Sequence, residues 1–220
     1  MTLAEQKEAL DYLATLQSGV VTDALVRLGL GGWMDYVLPM QPKGRLVGRA
    51  VTVKYAPKRG TGGCKENLYS IIRQSKPGDV LVIEALGTDC WILGENVTHT
   101  ALYSKLAGIV IDGRVRDAAE IREMALPVFC RGASVRPHAP FMELVDYNVP
   151  IRCAGAQVHP GDIIVGDADG IVVAPSAKLA EVMVQVRDID ALEKEQEEAI
   201  AQGKSLEVLG EILRRKKIKA

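Results

Sequence analysis

Apolar segments alternate with amphipathic segments through the middle of the chain and then follow one another directly. Runs of aliphatic residues predict strands at 46–55, 80–83, 108–111, 128–130, 163–165 and 171–174. Helices are predicted between the earlier strands, at 65–74, near 95–106 and from 117 onward. The last two strands are joined by a GDADG turn that is typical of a hairpin. Direct pairing of this kind indicates a mixed α/β layer architecture rather than an all-parallel, doubly wound sheet.

The two ends of the chain are predicted to be helical. Residues 4–17 form an amphipathic pattern, and a short second helix is expected from residue 22 to about 29. Residues 1–175 are therefore predicted to form one α/β domain that includes these helices. Residues 176–220 are predicted to form a C-terminal helical arm, which is too polar over 187–202 to be buried on every side. We expect the arm to pack on a neighbouring subunit.

The strand at 46–55 is predicted to be half-buried, because its apolar and polar residues alternate. Val51, Val53 and Tyr55 share one face, whereas Thr52 and Lys54 share the polar face. A basic, glycine-rich loop follows at 57–63 and is expected to be flexible.

Charge and cysteine content exclude several classes of protein. Lys and Arg total 27 and Asp and Glu total 28, so no overall field attracts nucleic acid or an anionic membrane. The four cysteines are dispersed without a CxxC pair, which argues against a zinc site or a disulfide scaffold and favours reduced thiols in or near the core. The sequence shows no apolar run typical of a signal peptide or a bilayer span, so a cytoplasmic location is expected.

The segment 108–117, GIVIDGRVRD, is the one that indicates chemistry. Its apolar strand ends in a charged turn, and ligands bind at the carboxyl ends of strands in α/β proteins. Glycine in the Asp112-Gly113 turn would allow the backbone to approach a ligand closely. Arg116 offers a planar fork that matches a carboxylate, and Asp117 is a hard oxygen ligand suited to Mg²⁺.

A second set of candidate residues lies at the start of the helix near 95–106. The backbone N–H groups of this first turn have no partner within the helix and can receive an anionic group of a substrate. Glu95 can supply a second carboxylate to a metal ion, directly or through water. The residues of this turn are Gly94, Glu95, Asn96 and Val97.

Purely structural interpretations of the same charges stay open. Asp117 could be a helix N-cap that pairs with Glu120 in a pattern similar to a capping box. Arg114 and Arg116 could be surface residues that pair with Asp112 or Glu120.

Other catalytic chemistries are less well supported by the sequence. A Schiff-base aldolase needs a desolvated lysine, and its best candidate, Lys54, is predicted to lie on a polar face. No glycine-rich loop follows an early strand to bind an adenosyl cofactor. His99 falls within a helix and His138 lies beside two prolines, so both are expected to be packing or surface histidines.

The segment 108–117 resembles the family that contains the 4-hydroxy-4-methyl-2-oxoglutarate aldolases, which also decarboxylate oxaloacetate, and the regulator of ribonuclease activity A. Some members of this family are labelled demethylmenaquinone methyltransferases. The likeness extends to VVTDAL at 20–25, AVTV at 50–53, KPGDV at 76–80 and PGD at 160–162, and covers roughly residues 15–200. The resemblance implies a three-layer β/β/α swivelling-type fold that assembles as a homotrimer or as a hexamer of two trimers.

The resemblance also implies a metal-dependent lyase. Mg²⁺ or Mn²⁺ would bind Asp117, Arg116 would grip the pyruvate carboxylate, and Glu95 would hold metal-bound waters. A further acid would come from the C-terminal region of a neighbouring subunit, with Glu195 as the nearest candidate and Glu193 and Glu197 as alternatives. The implied substrates are small 2-oxo acids that yield pyruvate. The alternative is a non-catalytic protein that binds and regulates a ribonuclease or another partner.

Overall fold

The computed structural model describes residues 1–59 and 63–219, so residues 60–62 of the predicted glycine-rich loop lie outside the described residues. The α-helices are α1 (Leu3–Leu13), α2 (Ser18–Arg27), α3 (Leu68–Gln74), α4 (Glu95–Tyr103), α5 (Ala118–Glu123), α6 (Leu179–Ala201) and α7 (Leu206–Arg215), and a 3₁₀ turn covers Ser176–Lys178. The strands are β1 (Trp33–Met34), β2 (Leu38–Pro39), β3 (Leu46–Pro57), β4 (Asp79–Glu84), β5 (Trp91–Leu93), β6 (Gly108–Ile111), β7 (Arg114–Val115), β8 (Val128–Cys130), β9 (Met142–Tyr147), β10 (Ile151–Cys153), β11 (Ala156–Val158), β12 (Ile163–Asp167) and β13 (Gly170–Ala174).

One mixed sheet forms the centre of the fold. Its strand order is β1-β13-β12-β3-β4-β6-β8-β2, and β9 also pairs with β3. The pairs β3–β4, β4–β6 and β6–β8 are parallel, whereas β12 and β13 form the predicted antiparallel hairpin and pair antiparallel with β3 through β12. The mixed α/β architecture is confirmed.

Two layers cover the sheet. Leu81, Ile109 and Val128 of the parallel strands pack with apolar residues of α3, α4 and α5, while α1, α2 and α6 pack against β12 and β13. The hairpin β10–β11 covers the opposite face, where Ile151 and Val158 pack with residues such as Val110. These helix, sheet and hairpin layers confirm the three-layer fold with C-terminal helices.

The predicted half-burial of β3 holds in part, because buried and partly exposed residues alternate along much of the strand, but it fails at Thr52. Thr52 is fully buried, and its hydroxyl donates a hydrogen bond to the Val149 carbonyl oxygen at 2.6 Å. The face of β3 that carries Thr52 is predicted from the sequence to be exposed to solvent. In the structure, the segment that leads into β10 covers it. Because Thr52 has a backbone acceptor there, its polarity is compatible with burial.

The second helix begins four residues earlier than predicted, at Ser18 rather than residue 22. Asp167 is buried at the end of β12, and its carboxylate accepts hydrogen bonds from the Ser18 backbone N–H at 2.6 Å and the Ser18 hydroxyl at 2.8 Å. A carboxylate at a helix start satisfies a free N–H group and interacts favourably with the helix dipole. The cap comes from a distant strand, so local sequence could not indicate it.

The first half of the predicted C-terminal arm packs within its own chain. Leu179, Val182 and Val186 of α6 belong to the same buried cluster as Leu25 of α2. Further along, α7 folds back on α6 around buried Ile212. Contact of residues 176–220 with a neighbouring subunit stays a prediction.

Two further features of the structure concern the cysteines and the helices. All four cysteines are free thiols, and Cys90, Cys130 and Cys153 are buried. Within residues 1–59 and 63–219, no helix is both long enough and apolar enough to span a bilayer.

Candidate active site

The short parallel pair β5–β7 brings the two predicted site segments together. Trp91 pairs with Arg114 and Leu93 with Val115, and the Arg116 backbone N–H donates to the Leu93 carbonyl oxygen at 3.0 Å. A single residue, Gly94, separates β5 from α4, and a single residue, Arg116, separates β7 from Asp117. The N-terminus of α4 therefore lies beside Asp117.

The side chain of Asp117 bonds to the start of α4 rather than to α5. Its Oδ2 accepts a hydrogen bond from the Glu95 backbone N–H at 3.1 Å and lies 3.4 Å from Arg116 Nε. Asp117 occupies the N-cap position of α5, but its side chain makes no capping hydrogen bond, so the interpretation as a capping box is wrong. Its backbone is left-handed, with φ 56° and ψ 45°, a conformation that costs a non-glycine residue about 1–2 kcal/mol and is found at functional sites.

Gly94 allows this close approach. A Cβ atom at residue 94 would lie 2.3 Å from Asp117 Oδ2 and 2.9 Å from Arg116 Cγ. No side chain caps the helix that follows, and the backbone N–H groups of Asn96 and Val97 donate to no acceptor in the part of the chain that the structure describes. These two donors are therefore available to an anion, as the sequence predicted.

Arg116 lies against an aromatic ring with its outer nitrogens unpaired. Its Cζ is 4.2 Å from the centroid of the Trp91 ring, a cation–π contact that fixes the guanidinium plane. The side chain is 49% exposed, and neither Nη atom is hydrogen-bonded to a described residue. The fork is thus free to meet a carboxylate.

The alternative pairings of the arginines with Asp112 or Glu120 are wrong. Arg114 binds Asp89 through Nε at 3.0 Å and Nη2 at 2.8 Å. Asp112 is buried, pairs with Arg131 and accepts a hydrogen bond from the Ala154 backbone N–H at 3.0 Å. Gly113 is packed against Ala85, with 3.1 Å from its hypothetical Cβ to the alanine Cβ, so packing within the chain accounts for glycine at this position.

Arg116 and Asp117 line a cavity of about 280 Å³. Four of its lining residues carry rings: Tyr55, Tyr69, Trp91 and His138. The other lining residues are Asn67, Leu68, Ile92, Leu93, Gly94, Asn96 and Val97. The sequence assigns His138 to packing or the surface and singles out none of the other three rings for the site, because each comes from a different part of the chain and has an ordinary local pattern.

Burial changes the acid–base behaviour of two of these rings. It lowers the pKa of His138, and the positive charge of Arg116 lowers it further, while a hydrogen bond with the Trp91 carbonyl partly opposes both effects. Burial raises the pKa of the Tyr55 hydroxyl, so this group stays protonated at neutral pH. The cavity therefore combines a neutral imidazole and a protonated phenol with the Arg116–Asp117 pair.

Three other candidate side chains lie apart from the cavity walls. The Glu95 backbone contacts Asp117, but its carboxylate makes no hydrogen bond to the described chain. Glu195 on α6 binds Arg215 of the same chain through two bonds of 2.8 Å. Lys54 does not line the cavity.

The described part of one chain contains no cluster of several side chains that could bind a metal ion together. Among residues 1–59 and 63–219, no group of three or more His, Cys, Asp or Glu side chains is placed to bind an ion. Mg²⁺ and Mn²⁺ suit a site of one or two carboxylates that keeps several waters, whereas structural Zn²⁺ needs four protein ligands. By residue type, Asp117 and Glu95 suit the first arrangement and not the second.

A methyl group at residue 94 is expected to displace Asp117. Because the backbone of Gly94 has φ −137°, alanine is tolerated there, and the effect comes from the contacts of the new Cβ with Asp117 Oδ2 and Arg116 Cγ. Gly94→Ala should weaken Mn²⁺ binding at least tenfold, measured by calorimetric titration. Gly210→Ala is the control, because that helical position has no neighbour within 4 Å. Equal Mn²⁺ affinity in the two variants would contradict the role given to Gly94.

Fold and site together define a mixed α/β protein in which an arginine–aspartate pair faces a helix N-terminus beside one cavity. The sequence profile described as "RraA-like: Aldolase/RraA" matches residues 18–173. The chain therefore belongs to the RraA-like family, and the resemblance noted in the sequence is confirmed.

Named relatives agree with this family. A putative 4-hydroxy-4-methyl-2-oxoglutarate aldolase of Halalkalibacterium halodurans is 33% identical over 189 residues, which cover 85% of this chain and 86% of the relative. Protein DlpA of Legionella pneumophila is 32% identical over 199 residues, and the match covers 90% of this chain but only 32% of that longer protein. The names of the aldolase relatives support a lyase.

One solved structure that resembles this chain is named for ribonuclease inhibition rather than for an aldolase. Streptomyces coelicolor RraAS2, described as an unusual member of the RNase ES inhibitor RraA protein family, matches this chain with a TM-score of 0.77 and 29% identity. The match covers 89% of this chain and 96% of RraAS2.

Proposed function

We propose that this protein is a divalent-metal-dependent C–C lyase acting on 2-oxo acids. It would cleave 4-hydroxy-2-oxo acids, such as 4-hydroxy-4-methyl-2-oxoglutarate, to pyruvate and a second carbonyl compound, and it would decarboxylate oxaloacetate. The observation that carries this proposal is the contact of Asp117 with both Arg116 and the α4 N-terminus at one wall of a cavity. The aldolase names of its relatives support the same reaction class.

The residues present fit Mg²⁺ or Mn²⁺. Asp117 would hold the ion directly, because its carboxylate is 34% exposed and only Oδ2 contacts protein donors. Glu95, at the start of α4, would act through water. When bound, the ion supplies Lewis-acid stabilisation of negative charge on the keto oxygen, an effect worth several kcal/mol.

The protein groups would fix the substrate by its carboxylate. The Arg116 fork can donate two parallel hydrogen bonds, and the N–H groups of Asn96 and Val97 provide further donors beside it. Trp91 holds the guanidinium plane in place. The carbon chain of the substrate would then extend into the ring-lined cavity.

A neighbouring subunit would complete the site in a homotrimer or hexamer. A second depression, of about 510 Å³, shares Trp91, Arg116 and Asp117 with the first and is lined on its other side by Ala133, Ser134 and Val135. This opening gives a carboxylate of another chain access to Asp117. Glu195 of the neighbouring subunit is the proposed source, and its release from Arg215 would be part of assembly.

Pyruvate release from oxaloacetate tests the proposal. With Mn²⁺ present, we expect saturable pyruvate formation in a coupled assay with lactate dehydrogenase, and we expect EDTA to abolish it. A protein-free blank with the same Mn²⁺ corrects for decarboxylation by the free ion. The same assay with 4-hydroxy-4-methyl-2-oxoglutarate tests aldol cleavage. A rate equal to the blank for both compounds would refute the lyase.

The similarity to RraAS2 favours one other function, a binding protein that regulates a ribonuclease. In that case the purified protein would release no pyruvate. A pull-down with tagged protein would instead retain a ribonuclease, and ribonuclease activity would fall when the purified protein is added.

A further inference from the structure

His138 has a fixed tautomer in this structure. Its Nδ1 lies 3.1 Å from the Trp91 carbonyl oxygen, which can only accept a hydrogen bond. Nδ1 therefore carries the proton, and the neutral ring keeps a lone pair on Nε2. Across residues 1–59 and 63–219, no group hydrogen-bonds to Nε2. This unpaired atom is not buried, so its lone pair is accessible.

The position of the His138 ring is fixed as well. It makes edge-to-face contacts with Tyr55, at 5.7 Å between ring centroids, and with Trp91, at 5.1 Å. The same Trp91 ring lies under the Arg116 guanidinium. One aromatic side chain thus positions both the proposed carboxylate-binding group and the imidazole.

Cleavage of a 4-hydroxy-2-oxo acid needs a base for the 4-hydroxyl proton. Among the cavity-lining side chains, Asp117 already contacts Arg116 and α4, and the tyrosine and asparagine side chains are poor bases at neutral pH. His138 is the lining side chain with an available lone pair and the acid–base range of a general base. Burial and the nearby Arg116 charge keep it neutral and ready to accept a proton.

We propose that His138 is the catalytic base of aldol cleavage, an inference that rests on the proposed lyase function. Nε2 takes the proton from the 4-hydroxyl, the O–H electron pair forms the C4=O bond, and the C3–C4 bond breaks. The electron pair of that bond passes to C3 and the keto group, which gives the enolate of pyruvate. The imidazolium then returns its proton to C3, so pyruvate forms and His138 is neutral again.

Oxaloacetate decarboxylation provides a matched comparison, because CO₂ leaves without removal of a hydroxyl proton. His138→Asn retains an amide N–H that can reach the Trp91 carbonyl and removes the base. We expect the rate of aldol cleavage to fall by about 10²–10⁴-fold and that of decarboxylation by less than tenfold. His159→Asn is the control, because that histidine is 58% exposed and lies outside the cavity lining.

Exchange of the pyruvate methyl protons in D₂O, followed by NMR, tests the second proton transfer without an aldol substrate. Wild-type protein with Mn²⁺ should catalyse the exchange, and His138→Asn should slow it at least 100-fold. Equal losses in cleavage, exchange and decarboxylation would indicate a structural role and overturn the proposal, as would retained exchange. Wild-type protein that lacks all three reactions would refute the lyase itself, and this inference with it.

Discussion

Replacing Asp117 by asparagine is expected to lower Mn²⁺-dependent decarboxylation of oxaloacetate by about three orders of magnitude, equivalent to about 4 kcal/mol of transition-state stabilisation. The substitution removes the negative charge of residue 117 and keeps its backbone conformation, because asparagine tolerates the left-handed region. Its amide oxygen can still accept the hydrogen bond from the Glu95 N–H. The variant should therefore keep its fold while it loses the anionic ligand for the ion.

The control for this variant is Glu120→Gln, which removes one negative charge from the exposed side of α5. Mn²⁺ affinity from calorimetry, melting temperature and pyruvate release should be measured for both variants. We expect Asp117→Asn to lose affinity and activity at an unchanged melting temperature, and Glu120→Gln to resemble the wild type. Normal Mn²⁺ affinity in Asp117→Asn would show that the ion binds elsewhere or not at all.

The parallel strands and the arginine–aspartate pair could be predicted because their signals are local. The predicted bounds of β6 and β8 coincide with those observed, since each is a short apolar run whose side chains are buried. Arg116 and Asp117 follow such a strand, and the general rule about strand ends points to them. Local patterns of this type need no knowledge of which strands pair.

Contacts between distant segments could not be predicted in the same way. Asp117 fits both a helix cap and a ligand in sequence, and only the β5–β7 pairing brings it to the start of α4. Tyr55, Trp91 and His138 come from three separate segments, and a histidine beside prolines has no distinctive pattern. Their common cavity depends on the tertiary fold, as does the cap that Asp167 provides for α2.

Replacing Arg116 by lysine should lower kcat/KM for oxaloacetate by roughly 100-fold, or about 2.7 kcal/mol, although the charge is kept. Lysine is a point charge that cannot donate two parallel hydrogen bonds to one carboxylate. It would also lose the planar stacking over Trp91 that orients the guanidinium. A loss of this size corresponds to one hydrogen bond to a charged group, worth about 1.5–3 kcal/mol.

Arg114→Lys provides the comparison, because Arg114 lies two residues earlier and binds Asp89 rather than lining the cavity. An exposed ion pair of that type contributes at most about 1 kcal/mol, so kcat/KM should change less than fivefold. Both variants replace arginine by lysine in the same segment. A larger loss of kcat/KM in Arg116→Lys would therefore come from the lost hydrogen bonds to the substrate carboxylate and not from a general disturbance of β7. Equal kcat/KM values for the two variants would mean that the Arg116 fork does not hold the substrate carboxylate.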